Sequence, residues 1–461
     1  MVRIHSGNDI ISTAAILPSG WRYASAAVII LFALGLLAGG LTIPFFFESP
    51  SMWYKFGVDK LSLRTGKLLG LATGLLLLFQ LPLAGRLKVF DRIFSIPGLI
   101  RQHRMHAWAI AMMALMHPVC VRLPEGTLMV PLEMRYWPEW AGAGLLTIIL
   151  MQFVCGRWRQ SLGLAFHIWL RFHRITGLLI VTLLIVHVLN VSETFTHEGP
   201  PRLAVFIAAG LFSMVWLWVR TSWLRSRRRP WVVSRVERTG ADCTRVDLSP
   251  STSSPLAYVP GQFAIASFRS AHVSPEPHPF TLSSAPSRPE MLQFTIRECG
   301  DWTREVQNLQ PADRVFLQGP FGRFGHLFLK PDRELIMIAG GIGITPMLSM
   351  LRFMADHGDS RPVTLLWSNR SKKHVVFADE MDSLADRLTG LRYIPIFTRT
   401  TDKGIRTARL NRTSLEIFLE GCGRGSAIFL CGPPPMMTRM KADLKMLGFP
   451  RRSLFTEIFG F

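Results

Sequence analysis

The sequence predicts a multidomain membrane protein: a six-helix transmembrane bundle, then a small antiparallel β-barrel, then an α/β domain on a parallel sheet. Three observations predict it. Apolar residues make up 49% of the 461, and they concentrate in the first half, in runs near the roughly 20 residues that cross a bilayer as a helix. From Pro230, short strand-like runs (WVVSRVE, TRVDLS, GQFAIASF, LQFTIRE) alternate with turn residues. After Pro331 the order becomes strand, glycine turn, helix, strand, in ELIMIAG, GIGITP, MLSMLRFMAD and VTLLWSN, the alternation of a parallel α/β domain. A chain of this length exceeds one core, and the expected domains are 1–222, 230–330 and 331–461.

Six apolar segments stand out, at about 23–45, 66–84, 103–121, 141–155, 172–191 and 203–221, the fourth being the shortest. The formal charge of +21 would suggest nucleic acid in a soluble chain. Here the basic residues flank the apolar runs and no nucleic-acid motif accompanies them, so a lipid bilayer is the expected partner. Arg86, Lys88, Arg92 and Arg101 lie between segments two and three, Arg157, Arg159 and Arg171 between four and five, and Arg225, Arg227, Arg228 and Arg229 after six. Glu125, Glu133, Glu139, Glu193 and Glu198 occupy the third and fifth loops. By the positive-inside rule both termini and the even-numbered loops are cytoplasmic, although Lys55, Lys60 and Arg64 in the first loop fit less well. The N-terminal stretch lacks the pattern of a signal peptide, so the first run is expected to stay in the mature protein. No internal repeat is apparent. Six cysteines include no C-x-x-C, which supplies neither an iron–sulfur cluster nor a structural zinc.

His103 and His117 are fourteen residues apart, and so are His173 and His187. At about 100° per residue, fourteen steps bring a side chain to within roughly 40° of its starting direction after a rise of about 21 Å. Each helix then offers two imidazoles on one face at two depths, with His103 opposite His173 and His117 opposite His187. Two levels of paired imidazoles suit two b-type haems, each iron held axially from both sides. Packed or water-lining histidines are the competing explanation, weakened by two helices sharing one spacing. His106 returns to nearly the same face as His117 and is the substitute for His103.

In the soluble half, His278 opens HPFTLSSAP. Pro279 fixes an extended dipeptide, Phe280 could stack on a flat ring, and Thr281 or Ser283 could hydrogen-bond its edge. Gly300-Asp301-Trp302-Thr303 follows a strand and opens a helix, where free N–H groups suit a pyrophosphate. A proline turn and a helix cap would look the same. Gly340-Gly341-Ile342-Gly343-Ile344-Thr345-Pro346 lies between an apolar strand and a helix, the context of a phosphate-cradling turn. Arg370, beyond the next strand, is placed to meet a ribose 2′-phosphate or to lie solvated at the surface. Cys431-Gly432-Pro433 ends another apolar strand, where a rigid turn could present a thiol to a nicotinamide.

With these motifs and the ending EIFGF, the chain resembles the NADPH oxidase and ferric reductase family over nearly its whole length. The resemblance implies a transmembrane ferric reductase-like haem domain, an FAD-binding barrel and an NAD(P)H-binding domain like those of ferredoxin–NADP reductases. It implies that His103, His117, His173 and His187 hold two haems and that His278, Phe280 and Thr281 occupy the flavin motif. Thr303 would contact the pyrophosphate, and Gly340, Gly341, Gly343 and Thr345 the nicotinamide cofactor. Cys431 would lie near the reactive carbon, and Glu457 and Phe459 beside the flavin, with Phe461 as the alternative stacker. His278 stands where the superfamily has Arg, which implies weaker hold on the FAD phosphate. No calcium-binding loop occurs.

The expected function is an oxidoreductase that moves electrons from cytoplasmic NADPH (or NADH) through FAD and two b-type haems to an extracytoplasmic acceptor. Bis-histidine ligation leaves no open iron position, so oxygen would be reduced at the haem edge to superoxide. A ferric chelate, a quinone or an extracytoplasmic partner protein are compatible acceptors.

Overall fold

The structure, a computed structural model, describes residues 19–47, 56–191, 193–196, 199–251, 256–330, 332–399 and 409–457. Lys55, Glu198, Phe459 and Phe461 lie outside them. The chain divides into two units, with the break between Ser222 and Trp223.

The first unit holds helices long and apolar enough to cross a membrane, six in all among the described residues. They are α1 (Ser19–Phe46), α2 (Gly57–Ala84), α3 (Ile96–Arg122), α4 (Trp137–Arg157), α5 (Phe166–Val191) and α6 (Pro200–Arg228). Most run past the apolar segments because charged and polar residues continue the helix at the ends. The fourth helix begins earlier than its apolar run because Pro138 sits in the first turn of α4, where its missing N–H has no intrahelical partner to lose. The most apolar windows of α1 and α6 bury none of their residues, against 17% for α3 and α5. That much apolar surface is unstable in water, so α1 and α6 carry the surface of helices suited to lipid. Ile110, Ala114, Leu145, Ile149 and Ile180 form the bundle core.

The bundle contains an internal repeat, which corrects the sequence reading. Helices α2 and α3 pack as one pair, and α4 and α5 as another. Gln80 donates to the backbone carbonyl of His103 at 3.2 Å, and Gln152 to that of His173 at 3.1 Å. The Gly66 carbonyl meets Nδ1 of His117 at 2.7 Å, and the Pro138 carbonyl meets Nδ1 of His187 at 2.9 Å. Corresponding residues lie 72 apart on α2 and α4, Gly66 with Pro138 and Gln80 with Gln152, and 70 apart on α3 and α5. Few positions are identical between the two pairs, Ile110 with Ile180 among them, and most of the intervening residues differ, so the repeat is hard to see in the sequence.

The second unit begins with an antiparallel sheet of β1 (Trp231–Thr239), β2 (Cys243–Pro250), β3 (Phe263–Arg269), β4 (His278–Thr281), β5 (Leu292–Arg297) and β6 (Arg314–Phe321), in the order β4-β3-β6-β1-β2-β5. No ladder joins β4 to β5 among the described residues, but the Ser283 amide, two residues past β4, donates to the Gln293 carbonyl of β5 at 2.9 Å. The rings of Phe280 in β4 and Phe294 in β5 lie 5.8 Å apart, which also brings the two ends of the sheet together. Its core is fully buried Val246, Leu248, Phe268, Leu292 and Phe294.

A parallel sheet follows, β7 (Leu335–Gly340), β8 (Val363–Asn369), β9 (Leu391–Phe397), β10 (Ala427–Cys431) and β11 (Leu454–Glu457), in the order β11-β10-β7-β8-β9. Every residue of β7 and β10 is buried. Strands covered on both faces read as unbroken apolar runs, which makes these two legible in the sequence. Helix α7 (Asp301–Glu305) precedes this sheet; α8 (Thr345–Asp356), α9 (Ala378–Arg387), α10 (Arg412–Phe418) and α11 (Pro434–Met446) connect it.

Candidate functional site

The glycine turn leaves the carboxyl end of the central strand β7 and enters α8, with β8 and β10 ending on either side. This is where open parallel sheets bind ligands. The turn is held by close approach. A Cβ on Gly343 would lie 2.3 Å from the Cys431 carbonyl oxygen, and one on Gly340 would lie 2.6 Å from the Met436 sulfur and 2.8 Å from Pro433. Gly341 has φ +54°, and Trp367 Nε1 donates to its carbonyl at 2.9 Å. Thr345 returns its hydroxyl to the Ile342 carbonyl at 3.0 Å, and Pro346 lies in the first turn of α8.

A cleft of about 170 Å³ opens beside this turn, lined by Gly340, Gly341, Arg297, Asn369, Arg370 and Pro433 among others. Arg370 is exposed there. Asn369 is 4% exposed, and neither its amide nitrogen nor its oxygen has a partner among the described residues. A buried amide with both ends unmet is costly unless a ligand meets it, so the cleft fits a polar nucleotide. Arg297 crosses from β5 to the glycine turn and is held by Asp242 at 2.7 Å. Neither Asn369 nor Arg297 stands out in the sequence, where a strand-ending amide and arginine carry no pattern.

Cys431 is fully buried and does not line the cleft; its backbone, with Gly432, packs on the glycine turn. Burial, and then the Glu457 carboxylate, push its thiol well above the ordinary range. Cys431 and Glu457 are direct partners in the β10–β11 ladder. Glu457 Oε1 also lies 3.9 Å from the place of a Cβ on Gly322, so this carboxylate reaches the end of β6 in the antiparallel lobe.

On the flavin-motif side, His278 Nε2 meets the Glu276 carboxylate at 3.1 Å, and its ring packs on Trp302, centroids 4.0 Å apart. Phe280 stacks on Trp302 at 5.7 Å, and the Trp302 indole donates to the Ser274 carbonyl at 2.8 Å. Pro279 lies in the β3–β4 ladder, and Thr281, also paired in it, is buried. The Ser283 hydroxyl is fully buried and bonded to the Gln293 carbonyl at 3.0 Å, so of the two hydroxyls it is the one committed to the sheet. The Thr303 hydroxyl accepts from the Cys299 amide at 2.7 Å and donates to the Gly300 carbonyl at 3.0 Å.

In the helix bundle the rings of His103 and His173 lie 6.0 Å apart, and those of His117 and His187 6.4 Å apart. Two metal–imidazole bonds of about 2 Å, with about 1.1 Å from each nitrogen to its ring centre, place coaxial rings about 6 Å apart. Nδ1 of His103 meets the Gln80 carbonyl at 3.3 Å, and His117 and His187 have the carbonyl partners given above. A carbonyl on Nδ1 fixes the tautomer that leaves Nε2 as the ligand. His173 differs: its Nδ1 has no hydrogen-bond partner among the described residues, and its ring stacks on Trp169 at 5.2 Å. The ring that faces His173 is His103, while His106 has a buried Nδ1 unmet by the described residues. Among the described residues no three His, Cys, Asp or Glu gather as a metal group; paired imidazoles are a two-ligand arrangement and fit a bis-histidine haem.

Residues 231–323 match the model of an FAD-binding domain, and residues 337–442 that of an oxidoreductase NAD-binding domain. Neither match reaches the helix bundle. The chain is similar to the glycine betaine monooxygenase reductase subunit of Chromohalobacter salexigens, 30% identical over 190 residues, covering 39% of this chain and 50% of that protein. It is also similar to the propane 2-monooxygenase reductase component of Rhodococcus jostii, 26% identical over 246 residues, covering 49% of this chain and 62% of that one. The chain therefore spans only 50% and 62% of the lengths of these relatives. Among solved structures, the FAD/NAD-binding domain of a nitric oxide dioxygenase from Vibrio cholerae aligns over 50% of this chain and 99% of its own, at 24% identity and a TM-score of 0.45. The second unit is the FAD- and NAD-binding module of an oxidoreductase.

Proposed function

We propose that the chain is a transmembrane oxidoreductase carrying electrons from cytoplasmic NADPH through FAD and two b-type haems to an extracytoplasmic acceptor, most simply oxygen giving superoxide. The observation that carries this reading is the spacing of the two imidazole pairs, 6.0 and 6.4 Å, in a bundle of apolar helices. FAD would accept two electrons and release them singly. His103 with His173, and His117 with His187, would hold the two irons; Arg370 and Asn369 would bind the nucleotide end of the reduced cofactor, and Phe280 and Thr281 the flavin. The basic even-numbered loops support a cytoplasmic second unit.

A second reading, a relay handing electrons to a partner protein, is favoured by the relatives being reductase components. Anaerobic absorbance of the detergent-purified, FAD-supplemented protein separates these. Reduced b-haem bands that appear with NADPH and vanish in air with superoxide support the oxidase. Haem reduction without oxygen uptake supports the relay. Haems reduced by dithionite but not by NADPH overturn both.

A further inference from the structure

Helix α8 carries the glycine turn at its start and, farther along, a polar stripe that the function proposed above does not use. Ser349, Arg352 and Asp356 are spaced i, i+3, i+7, so they share one helical face. All three bond across to the antiparallel lobe. The Ser349 hydroxyl donates to the Ser284 carbonyl at 2.6 Å. One Arg352 nitrogen donates to the Ser283 carbonyl and to Gln293 Oε1, both at 2.7 Å. Asp356 accepts from the Ser287 hydroxyl at 2.5 Å. Ser349 and Ser283 are fully buried, and Ser284 and Gln293 nearly so.

Each anchor is itself braced. The remaining Arg352 nitrogens form a two-bond fork with Glu380 of α9, both bonds 2.6 Å. Gln293 passes the contact on to Asp247 at 3.0 Å, and Asp247 is paired with Arg245 at 2.9 Å. Asp356 is held from its own lobe by Arg387 at 2.9 Å. Charge-assisted, forked bonds are the strong and directional ones. The accepting carbonyls, Ser283 and Ser284, lie just beyond Thr281 in the flavin motif.

We infer that Ser349, Arg352 and Asp356 form an interlobe clamp, with Arg352 the positioning residue that sets the flavin-motif turn 281–287 against the helix leading from the glycine turn. A glycine turn fixed to one end of α8 and a flavin turn fixed to its flank gives the two cofactors a set separation, to which hydride transfer is steeply sensitive. The inference rests on the FAD and NAD(P)H reading of the two lobes.

The test uses the full-length protein in detergent with Arg352→Met, Arg352→Lys and Ser349→Ala. Hydrogen exchange is read in residues 281–287, and anaerobic flavin reduction is followed against NADPH concentration. Arg352→Met should speed exchange there roughly tenfold while β1 and β2 stay protected. The limiting rate should fall roughly thirtyfold with half-saturation changed by less than about threefold. Arg352→Lys, which keeps the charge but lacks the fork, should lie between. Should Arg352→Met fail to fold, Ser349→Ala decides: about a threefold loss of rate with faster exchange supports the clamp. Unchanged exchange in 281–287, or a loss that lies wholly in half-saturation, overturns it. A native protein that NADPH does not reduce sinks the underlying reading instead, and the exchange result still judges the clamp.

Discussion

Gly142 and His187 approach so closely that a methyl group on the glycine would lie 2.5 Å from the imidazole Cε1. Gly70 stands in the same relation to His117, at 2.9 Å. In both helix pairs a side chain is excluded where an imidazole passes. Under the haem ligation proposed above, Gly142→Val should displace His187 and lower haem content per chain by about half, as one level is lost. The haem-to-protein ratio from a pyridine haemochrome assay checks this. An unchanged ratio would detach His187 from haem binding.

The Gly343 turn makes a second demand. The neighbour a Cβ would strike, 2.3 Å away, is the Cys431 backbone carbonyl and not a flexible side-chain end. Gly343→Ala must therefore move β10 or the turn itself, at about 1–3 kcal/mol. Flavin reduction by NADPH should slow at least tenfold, while dithionite reduction stays normal. A variant with native NADPH kinetics would show that the turn tolerates the shift and does not set nucleotide binding.

How much of this is legible in the sequence depends on whether function imposes a period. The histidines stand out because a fixed spacing on two helices is visible without structure, and β7 and β10 because burial on both faces leaves no polar residue. Arg352 gives no sign, since its partners Ser283, Gln293 and Glu380 are scattered through the sequence, and the first two meet it only when two lobes pack. Asn369 and Arg297 escape notice because a strand-ending amide or arginine carries no pattern of its own. The correspondence of Gln80 with Gln152 is invisible because two glutamines 72 residues apart carry no signal alone. The alternation of strands and turns shows an antiparallel sheet but not which edges pair, so the strand order is not legible.

A third prediction concerns pH. His326 is 1% exposed, and neither ring nitrogen has a hydrogen-bond partner among the described residues. Burial, reinforced by Arg361, pushes its pKa down to about 3. Its folded value lies below the unfolded one, so the unfolded chain takes up the proton first as pH falls. The neutral ring's contribution is complete above about pH 6.5 and declines by about 1.4 kcal/mol per pH unit below it, until the folded value is reached. His326→Leu should shrink the stability difference between pH 7 and pH 5 by about 2 kcal/mol. Denaturant midpoints of both proteins at the two pH values give the answer; parallel pH dependence would mean that His326 does not titrate with unfolding.

The two histidine helices make a ladder whose rails are α3 and α5. Each rail holds one end of both rungs, so a chain ending before α5 holds no complete rung. During synthesis neither rung can close until the second rail has been made. His173 precedes His187, so the completed pairs become available close together and late, after most of the bundle already exists. Under the electron path proposed above, half a bundle is then no half-working wire: it conducts nothing, and its length grants no partial activity on which a shorter chain could subsist.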